Sequence, residues 1–306
     1  MEEITFIGKS MRIDKFLMQE FPSATLSEIF KWIRTGKVKV NRKKQKPGYK
    51  LNPQDIIHIF LSQEQIQGYH TKGIVHKTSF NVLYEDDDLL VVDKPPFIAS
   101  QGGIGVNENN LVNQVAYYLT GEVTISLGNR LDKDTSGIII IGKNPKINPL
   151  LYQLTKSRKI EKKYFALAIG RIKEKEGIFK DYLVKGTTNF MPVMKISNKD
   201  NELAKYCETE YKVVKHIKNY TLLELTLKTG RMHQIRVQLS SRGFPVLGDR
   251  IYGNEEENKK VSRNLKRQFL HASQVKFNHP ITNKTLSLVT ELPRDLKKTL
   301  EKIKTQ

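Results

Sequence analysis

The chain has 306 residues, enough for about two domains on a prior of roughly 100–200 residues each, and its 38% apolar content can bury at least one sizeable core. Its 52 Lys and Arg against 32 Asp and Glu leave a formal charge of +20, which repels basic surfaces and attracts polyanions, nucleic acid first and an anionic membrane second. No strongly apolar run approaches the roughly 20 residues of a bilayer span, and the single cysteine, Cys207, excludes an intrachain disulfide framework and a thiolate metal cluster.

Ile13, Phe16 and Leu17 fall at i, i+3 and i+4, so a short amphipathic helix opens a small module over residues 11–61. After Pro22, Ser27 is placed to cap a second helix with Ile29, Trp32 and Ile33 on one face, and Gly36 suits a left-handed C-cap. Val38 and Val40 alternate with lysines as in a half-buried strand; a turn at Pro47-Gly48 and a strand over residues 56–60 close the unit. Between residues 31 and 50 lie nine Lys or Arg and no acid. Lys31, Arg34, Lys37, Lys39, Arg42, Lys43, Lys44 and Lys46 are therefore read as a nucleic-acid platform. A solvated charged face is the plainer alternative, but so long a run of one sign repels itself unless a polyanion relieves it. Trp32, by its spacing with Ile29 and Ile33, is read as core.

Residues 63–79 are polar, contain Gly68 and Gly73, and read as a linker between domains at 1–62 and 80–306. The second domain opens with a strand–turn–strand pattern over residues 81–92. A helix near 111–119, an apolar strand at 137–141, a helix near 150–157 and a strand at 164–169 follow. Leu222, Leu223, Leu225 and Leu227 suit a partly buried strand, and residues 232–241 a helix ending before Gly243. Strands at 275–277 and 286–289 and a basic terminal helix finish the chain. Strand–turn–strand pairs outnumber βαβ units, so the fold class is α+β with a mixed sheet.

No zinc spacing, Walker loop or dinucleotide fingerprint is present, and the seven histidines show no ligand spacing, so no metal is expected. The glycine-rich run at 102–105 lacks the context for cradling phosphate and reads as a mobile loop. Two constellations stand out. Asn129-Arg130-Leu131-Asp132-Lys133-Asp134-Thr135-Ser136-Gly137 crowds polar residues ahead of four isoleucines, where rigid framework meets a loop. A capped turn bonding local backbone N–H groups accounts for Asp134, Thr135 and Ser136, but not for Arg130 and Asp132. Gly230-Arg231-Met232-His233-Gln234-Ile235-Arg236 leads from a strand into a helix, with Met232 and Arg236 on one face at i, i+4. An arginine near a helix N-terminus opposes the macrodipole, which points to an acidic or phosphate partner.

These stretches carry a family resemblance. Residues 129–137 resemble the HRLDxxTSG motif of the RluA-type pseudouridine synthases, Asp93-Lys94-Pro95 their first motif, Lys163-Tyr164 their tyrosine motif, and residues 230–237 their GRTHQIRVH motif. Gly248-Asp249 with Tyr252-Gly253, and Leu270-His271-Ala272, also match. Residues 11–60 resemble an S4 RNA-binding domain, including GKVKVN at 36–41. The run NRKKQKPGYKL and the glycine-rich loop are most similar to the RluC branch, which acts on large-subunit ribosomal RNA.

The resemblance implies a small S4 domain followed by a catalytic domain with a mixed, mostly antiparallel central sheet flanked by helices. It implies cofactor-free, metal-free isomerisation of uridine to pseudouridine in RNA, with 23S ribosomal RNA as substrate. Asp132 would be the essential carboxylate, attacking covalently or removing a ribose proton. Arg236 would supply the cation that an ionised carboxylate needs in a dry pocket, and Tyr164 an aromatic face for the base with a phenol near C5. Arg130 would fill the gap left by the flipped uridine, and His233 would join the RNA contacts. Asn129 stands where the family usually has His; an amide can hydrogen-bond but cannot be protonated, so altered positioning rather than lost activity is expected. The Met-Glu-Glu start lacks a signal pattern and there is one cysteine, so the cytoplasm is the expected compartment; a monomer is expected as well. The alternatives are a non-catalytic S4-type ribosome-assembly factor and a nucleoside hydrolase. A binding relic would not be expected to keep Asp132, Tyr164 and Arg236 together.

Overall fold

The computed structural model describes residues 2–8, 10–21, 24, 26–70, 78–102, 109–119, 124–188, 191–261 and 265–305. The chain divides into two compact units, residues 1–77 with 101–114, and residues 78–100 with 115–306.

The first unit holds β1 (Glu2–Thr5), β2 (Met11–Arg12), α1 (Ile13–Glu20), α2 (Leu26–Thr35), β3 (Val38–Val40), β4 (Lys50–Leu51), β5 (Ile56–Ile59) and α3 (Gln63–His70). β1 and β3 flank β5 in an antiparallel sheet, and β2 pairs with β4. The apolar stripes of α1 and α2 pack with Val38, Val40, Ile57 and Ile59. Trp32 meets Phe21 and Tyr69 edge-on at 5.6 and 4.8 Å, which makes it a core residue. Gly36, at φ +77, ends α2 in the left-handed region. Ser27 lies inside α2, which already begins at Leu26.

The first part of the segment read as a linker, Gln63–His70, is helix. Ser62 and Gln65 form a reciprocal cap, each backbone N–H bonding the other's side-chain oxygen at 3.2 Å. Ile66 and Tyr69, three apart on one face, then bury against the core. Only two large apolar residues mark this helix, so composition hides it. Residues 71–77 of that segment lie outside the described residues.

The second unit begins with β6 (Asn81–Glu85) and β7 (Leu89–Lys94). Across the division between units comes α4 (Leu111–Tyr118), then β8 (Ser126–Leu127), β9 (Ser136–Gly142), α5 (Ile147–Lys156), β10 (Glu161–Ile169) and β11 (Glu176–Thr188). The chain continues through β12 (Met191–Ser197), β13 (Lys205–Ile217), β14 (Tyr220–Leu227), α6 (Gln234–Ser240), α7 (Glu255–Val261), β15 (Leu270–Asn278), β16 (Thr285–Val289) and α8 (Arg294–Thr305). One 11-stranded sheet runs β12-β11-β13-β14-β10-β15-β9-β7-β6, with β16 beside β15 and β8 beside β9. It is mixed and mostly antiparallel; β9 and β15 run parallel, with Ser136 opposite His271 and Gly137 opposite Ala272.

That parallel pair demands glycine at 137. Its φ is +119, and a Cβ there would lie 2.2 Å from the Ala272 carbonyl oxygen. All of β9 is buried, which is why its isoleucines read as an unbroken apolar run. Ile138 and Ile140 pack with Leu89, Val91, Leu151 and Phe277.

The sequence pattern does not announce β11, β12 or β13. Buried Phe179, Leu183, Cys207 and Tyr211 alternate there with lysines and acids, so no apolar run forms. Met232 and Arg236 do not share a helix as their spacing suggests. His233 takes a left-handed conformation at φ 53 and α6 starts only at Gln234. Most of the glycine-rich run at 102–105 lies outside the described residues. No helix among the described residues is long and apolar enough to cross a membrane.

Candidate active site

The loop between β8 and β9 is anchored residue by residue. The Asn129 side chain behaves as an extra peptide group, donating to the Ile138 carbonyl and accepting from the Ile140 N–H, both at 2.9 Å. That task needs an amide and no proton exchange. Leu131 uses both backbone groups on Ser100, whose hydroxyl accepts at 3.0 Å and donates at 2.7 Å. The fully buried Lys94 ammonium donates to the carbonyls of Pro95 and Ile98 at 2.8 Å and of Lys133 at 3.2 Å. Burial, with the nearby Arg267 charge, pushes this lysine down to about 7.

Beyond Lys133, Arg267 donates to the Asp134 carbonyl at 3.2 Å while paired with Asp295 in α8 at 2.7 and 3.1 Å. Gln268 donates to the Thr135 hydroxyl at 3.1 Å, and Ser136 Oγ lies 2.9 Å from His271 Nδ1. Thr135 and Ser136 are thus not turn caps; the parallel neighbour β15 brings distant partners within closer reach than the local backbone. Among the side chains this anchoring leaves free to project are the exposed Arg130 and Asp132, whose carboxylate side chain is 26% exposed.

Arg236 reaches that carboxylate from α6, Nη1 to Asp132 Oδ2 at 2.8 Å. Its other edge is clamped by Asp249, Nε to Oδ2 at 2.6 Å and Nη2 to Oδ1 at 2.9 Å, with Asp249 at 0% and Arg236 at 5% side-chain exposure. These two carboxylates are the acidic partners that an arginine at a helix start calls for. Asp249 also accepts the N–H groups of Ile251 and Tyr252 at 2.9 and 3.0 Å. Burial alone would raise its carboxyl, but the guanidinium and the two N–H groups outweigh that and hold it below the ordinary range. Gly248, at φ +80, brings the chain so close to the Arg267 carbonyl that a Cβ would lie 2.1 Å from its oxygen.

Tyr252 supports the same cluster. Its ring lies 5.1 Å from the Arg236 guanidinium, and its hydroxyl accepts from the Met194 N–H at 2.7 Å. The hydroxyl is also 2.9 Å from His233 Nδ1. With Tyr252 donating there, His233 carries its proton on Nε2, which faces Asp132 Oδ2 at 3.9 Å. Burial holds this imidazole below its ordinary value. Tyr164, only 5% exposed on β10, has its phenol raised by burial and then by the Asp132 charge, so it stays protonated at neutral pH. Asp132, Arg236 and His233 therefore meet, with Tyr164 close enough to feel the carboxylate. Asp249, Lys94 and Tyr252 are supports that sequence reasoning did not single out, although Gly248-Asp249, Tyr252-Gly253 and Asp93-Lys94-Pro95 were visible as motifs.

Residues 88–241 match the RNA pseudouridylate synthase family, and residues 11–57 match the S4 domain. The chain belongs to the RNA pseudouridylate synthases. This synthase is 32% identical over 313 residues to a ribosomal large subunit pseudouridine synthase D from Buchnera aphidicola subsp. Schizaphis graminum, covering 96% of this chain and 95% of that one. A ribosomal large subunit pseudouridine synthase C from the same organism is 33% identical, covering 94% and 93%. The solved structure of human RNA pseudouridylate synthase domain containing 4 shares the fold, with a TM-score of 0.60 at 23% identity, over 73% of this chain and 92% of that one. The enzyme isomerises uridine to pseudouridine in RNA.

The synthase's first unit displays the basic residues. Lys31, Arg34, Lys37, Arg42, Lys43, Lys44 and Lys46 are exposed, while Lys39 lies over the Phe60 ring at 5.2 Å. A two-residue hairpin turn at Asn41-Arg42, both at positive φ, carries Arg42 and leads into Lys43 and Lys44. An open groove lined by Phe30, Lys31, Arg34, Lys44 and Lys46 adjoins that turn.

Proposed function

We propose that this synthase modifies large-subunit ribosomal RNA, with Asp132 acting on the target nucleotide, Arg236 as its counter-ion and Tyr164 against the flipped uracil. One observation carries the site: a fully buried carboxylate, Asp249, fixes one edge of Arg236 so that its remaining donor faces the accessible Asp132. A non-catalytic RNA-binding factor has no use for a buried pair aimed at a second, accessible carboxylate.

The reaction breaks N1–C1′, turns the uracil and forms C5–C1′; C5 gives up its proton and N1 takes one from solvent, so the composition is unchanged and no other group is consumed. Asp132 either attacks C1′ or takes a ribose proton; both use its carboxylate, whose Oδ2 lies 2.8 Å from Arg236 Nη1. Tyr164, held as the neutral phenol, serves as a ring surface and O–H donor rather than as a base. Arg130, exposed beside Asp132 on the anchored loop, fills the space of the extruded uridine. The basic face of the first unit, Lys31, Arg34, Lys37, Lys39, Arg42, Lys43, Lys44 and Lys46, holds phosphates. The names of the similar synthases C and D support the ribosomal substrate, and we place the enzyme in the cytoplasm as a monomer.

The test maps pseudouridine in ribosomal and transfer RNA from a strain lacking the protein, complemented by the natural chain or by Asp132→Asn. Loss of one or more 23S positions, restored only by the natural chain, is the expected result. An unchanged 23S map with positions lost from transfer RNA would overturn the substrate.

A further inference from the structure

The turn after β7 holds a residue that the chemistry above leaves unused. Phe97 has φ +69. In that region Cβ crowds the backbone, and a bulky residue stays there only under constraint. It occupies the second half of the Pro96-Phe97 turn, where glycine would fit without strain. The side chain is nevertheless 49% exposed, so core burial does not account for keeping a ring at this position.

The constraint is visible. The Lys94 ammonium donates to the carbonyls of Pro95 and Ile98, on either side of the turn. The same ammonium reaches the Lys133 carbonyl, and Ser100 bonds both backbone groups of Leu131. β7 and β9 are antiparallel with Lys94 opposite Gly137, so the loop leaving β7 and the loop entering β9 emerge at one end of the sheet. An aromatic ring is thus displayed from a turn fastened to the loop that carries Arg130 and Asp132.

We propose that Phe97 is an RNA-binding residue whose ring stacks on an unpaired base beside the target uridine. This rests on the synthase reading above. Extruding a nucleotide uncovers the faces of its neighbours, and an aromatic ring can cover such a face whatever the base, because every base presents a π surface. A rigid turn suits this role, since the ring is already placed when RNA arrives.

The experiment uses the full chain and a stem-loop with one target uridine, carrying 2-aminopurine on its 5′ or its 3′ side. Phe97→Gly should melt at the same temperature as the natural protein or higher, because glycine accepts φ +69 freely. It should raise KM for the stem-loop about ten-fold or more, the loss typical of one stacked base, with kcat little changed. Fluorescence at one flanking position should be quenched on binding by the natural protein and by Phe97→Trp, and not by Phe97→Gly. Unchanged KM and quenching in Phe97→Gly would overturn the proposal. A lowered melting temperature with unchanged KM would do so too, by showing that the ring supports the fold. Pseudouridine formation by the natural protein is scored in the same tubes, so failure of the synthase reading and failure of the stacking contact give different results.

Discussion

Asp249→Asn puts the most weight on one atom pair. Asparagine keeps the shape of the aspartate but not its charge, and only one of its two polar ends can accept a hydrogen bond. Arg236 Nε and Nη2 and the N–H groups of Ile251 and Tyr252 all point at this side chain. The amide NH2 of an asparagine would therefore face a donor in either orientation. Asp249 has no side-chain exposure and Arg236 has 5%, so the guanidinium would be left buried with only the partly exposed Asp132 as counter-ion. Removing one member of a buried pair costs about 3–5 kcal/mol. At about 2–4 °C per kcal/mol for a domain of this size, the melting temperature should fall by about 6–20 °C. The folded fraction should lose about ten- to a hundred-fold in kcat, because Arg236 is no longer held toward Asp132. Scanning fluorimetry gives the first quantity, and tritium release from RNA labelled at uridine C5 gives the second. A variant melting within about 2 °C of the natural protein, with normal turnover, would show that Arg236 is positioned without Asp249.

Asp132→Asn should behave in the opposite way. Isomerisation falls at least about a hundred-fold while melting and RNA affinity stay near the natural values, and substantial residual turnover in tritium release would mean that another carboxylate acts. His271 is fully buried, and burial with the Arg267 charge pushes its imidazole down from 6.5 to about 4. The unfolded chain takes up a proton between pH 6.5 and 4 that the folded chain refuses, so stability is complete above 6.5 and drains away as pH falls toward 4, by about 3 kcal/mol. His271→Asn should flatten that limb of the melting profile; an unaltered slope would place the acid sensitivity elsewhere. Replacing Lys31, Arg34, Lys44 and Lys46 together by alanine should lower the salt dependence of RNA binding by about 3 in log–log slope, and an unchanged slope in a filter-binding series would remove this groove from the RNA path.

That Asp132 and Arg236 had to find partners was legible in the sequence, because charged residues stood where a strand or a helix begins, against the local preference, and the two meet at 2.8 Å. Trp32 was legible by spacing alone. Asp249 was not, because nothing within its own segment distinguishes a buried clamp from a surface acid; its role exists only once α6 lies across from it. Lys94 has the same difficulty, since a lysine beside two prolines gives no sign that its ammonium will be enclosed by three carbonyls. Ser136 was misjudged because short hydroxyl side chains usually bond their own turn, and only the parallel pairing of β9 with β15 offers His271 instead. β11 to β13 escaped because a strand with one dry and one wet face at the open end of a sheet carries few apolar residues. α3 escaped because the domain boundary was set between Ser62 and Gln63, which parted Ser62 from its capping partner Gln65 and left the helix in a polar spacer.

The anchoring of the loop around Asp132 also sets when in the life of the chain a working site can exist. Arg236 lies 104 positions after Asp132, and Arg267 lies 133 positions after the Asp134 carbonyl that it holds. Arg267 in turn is paired with Asp295, in α8. A nascent chain therefore carries Asp132 through much of its synthesis without the groups that hold its loop. The anchors of this loop are complete only once α8 has been made and Asp295 has met Arg267.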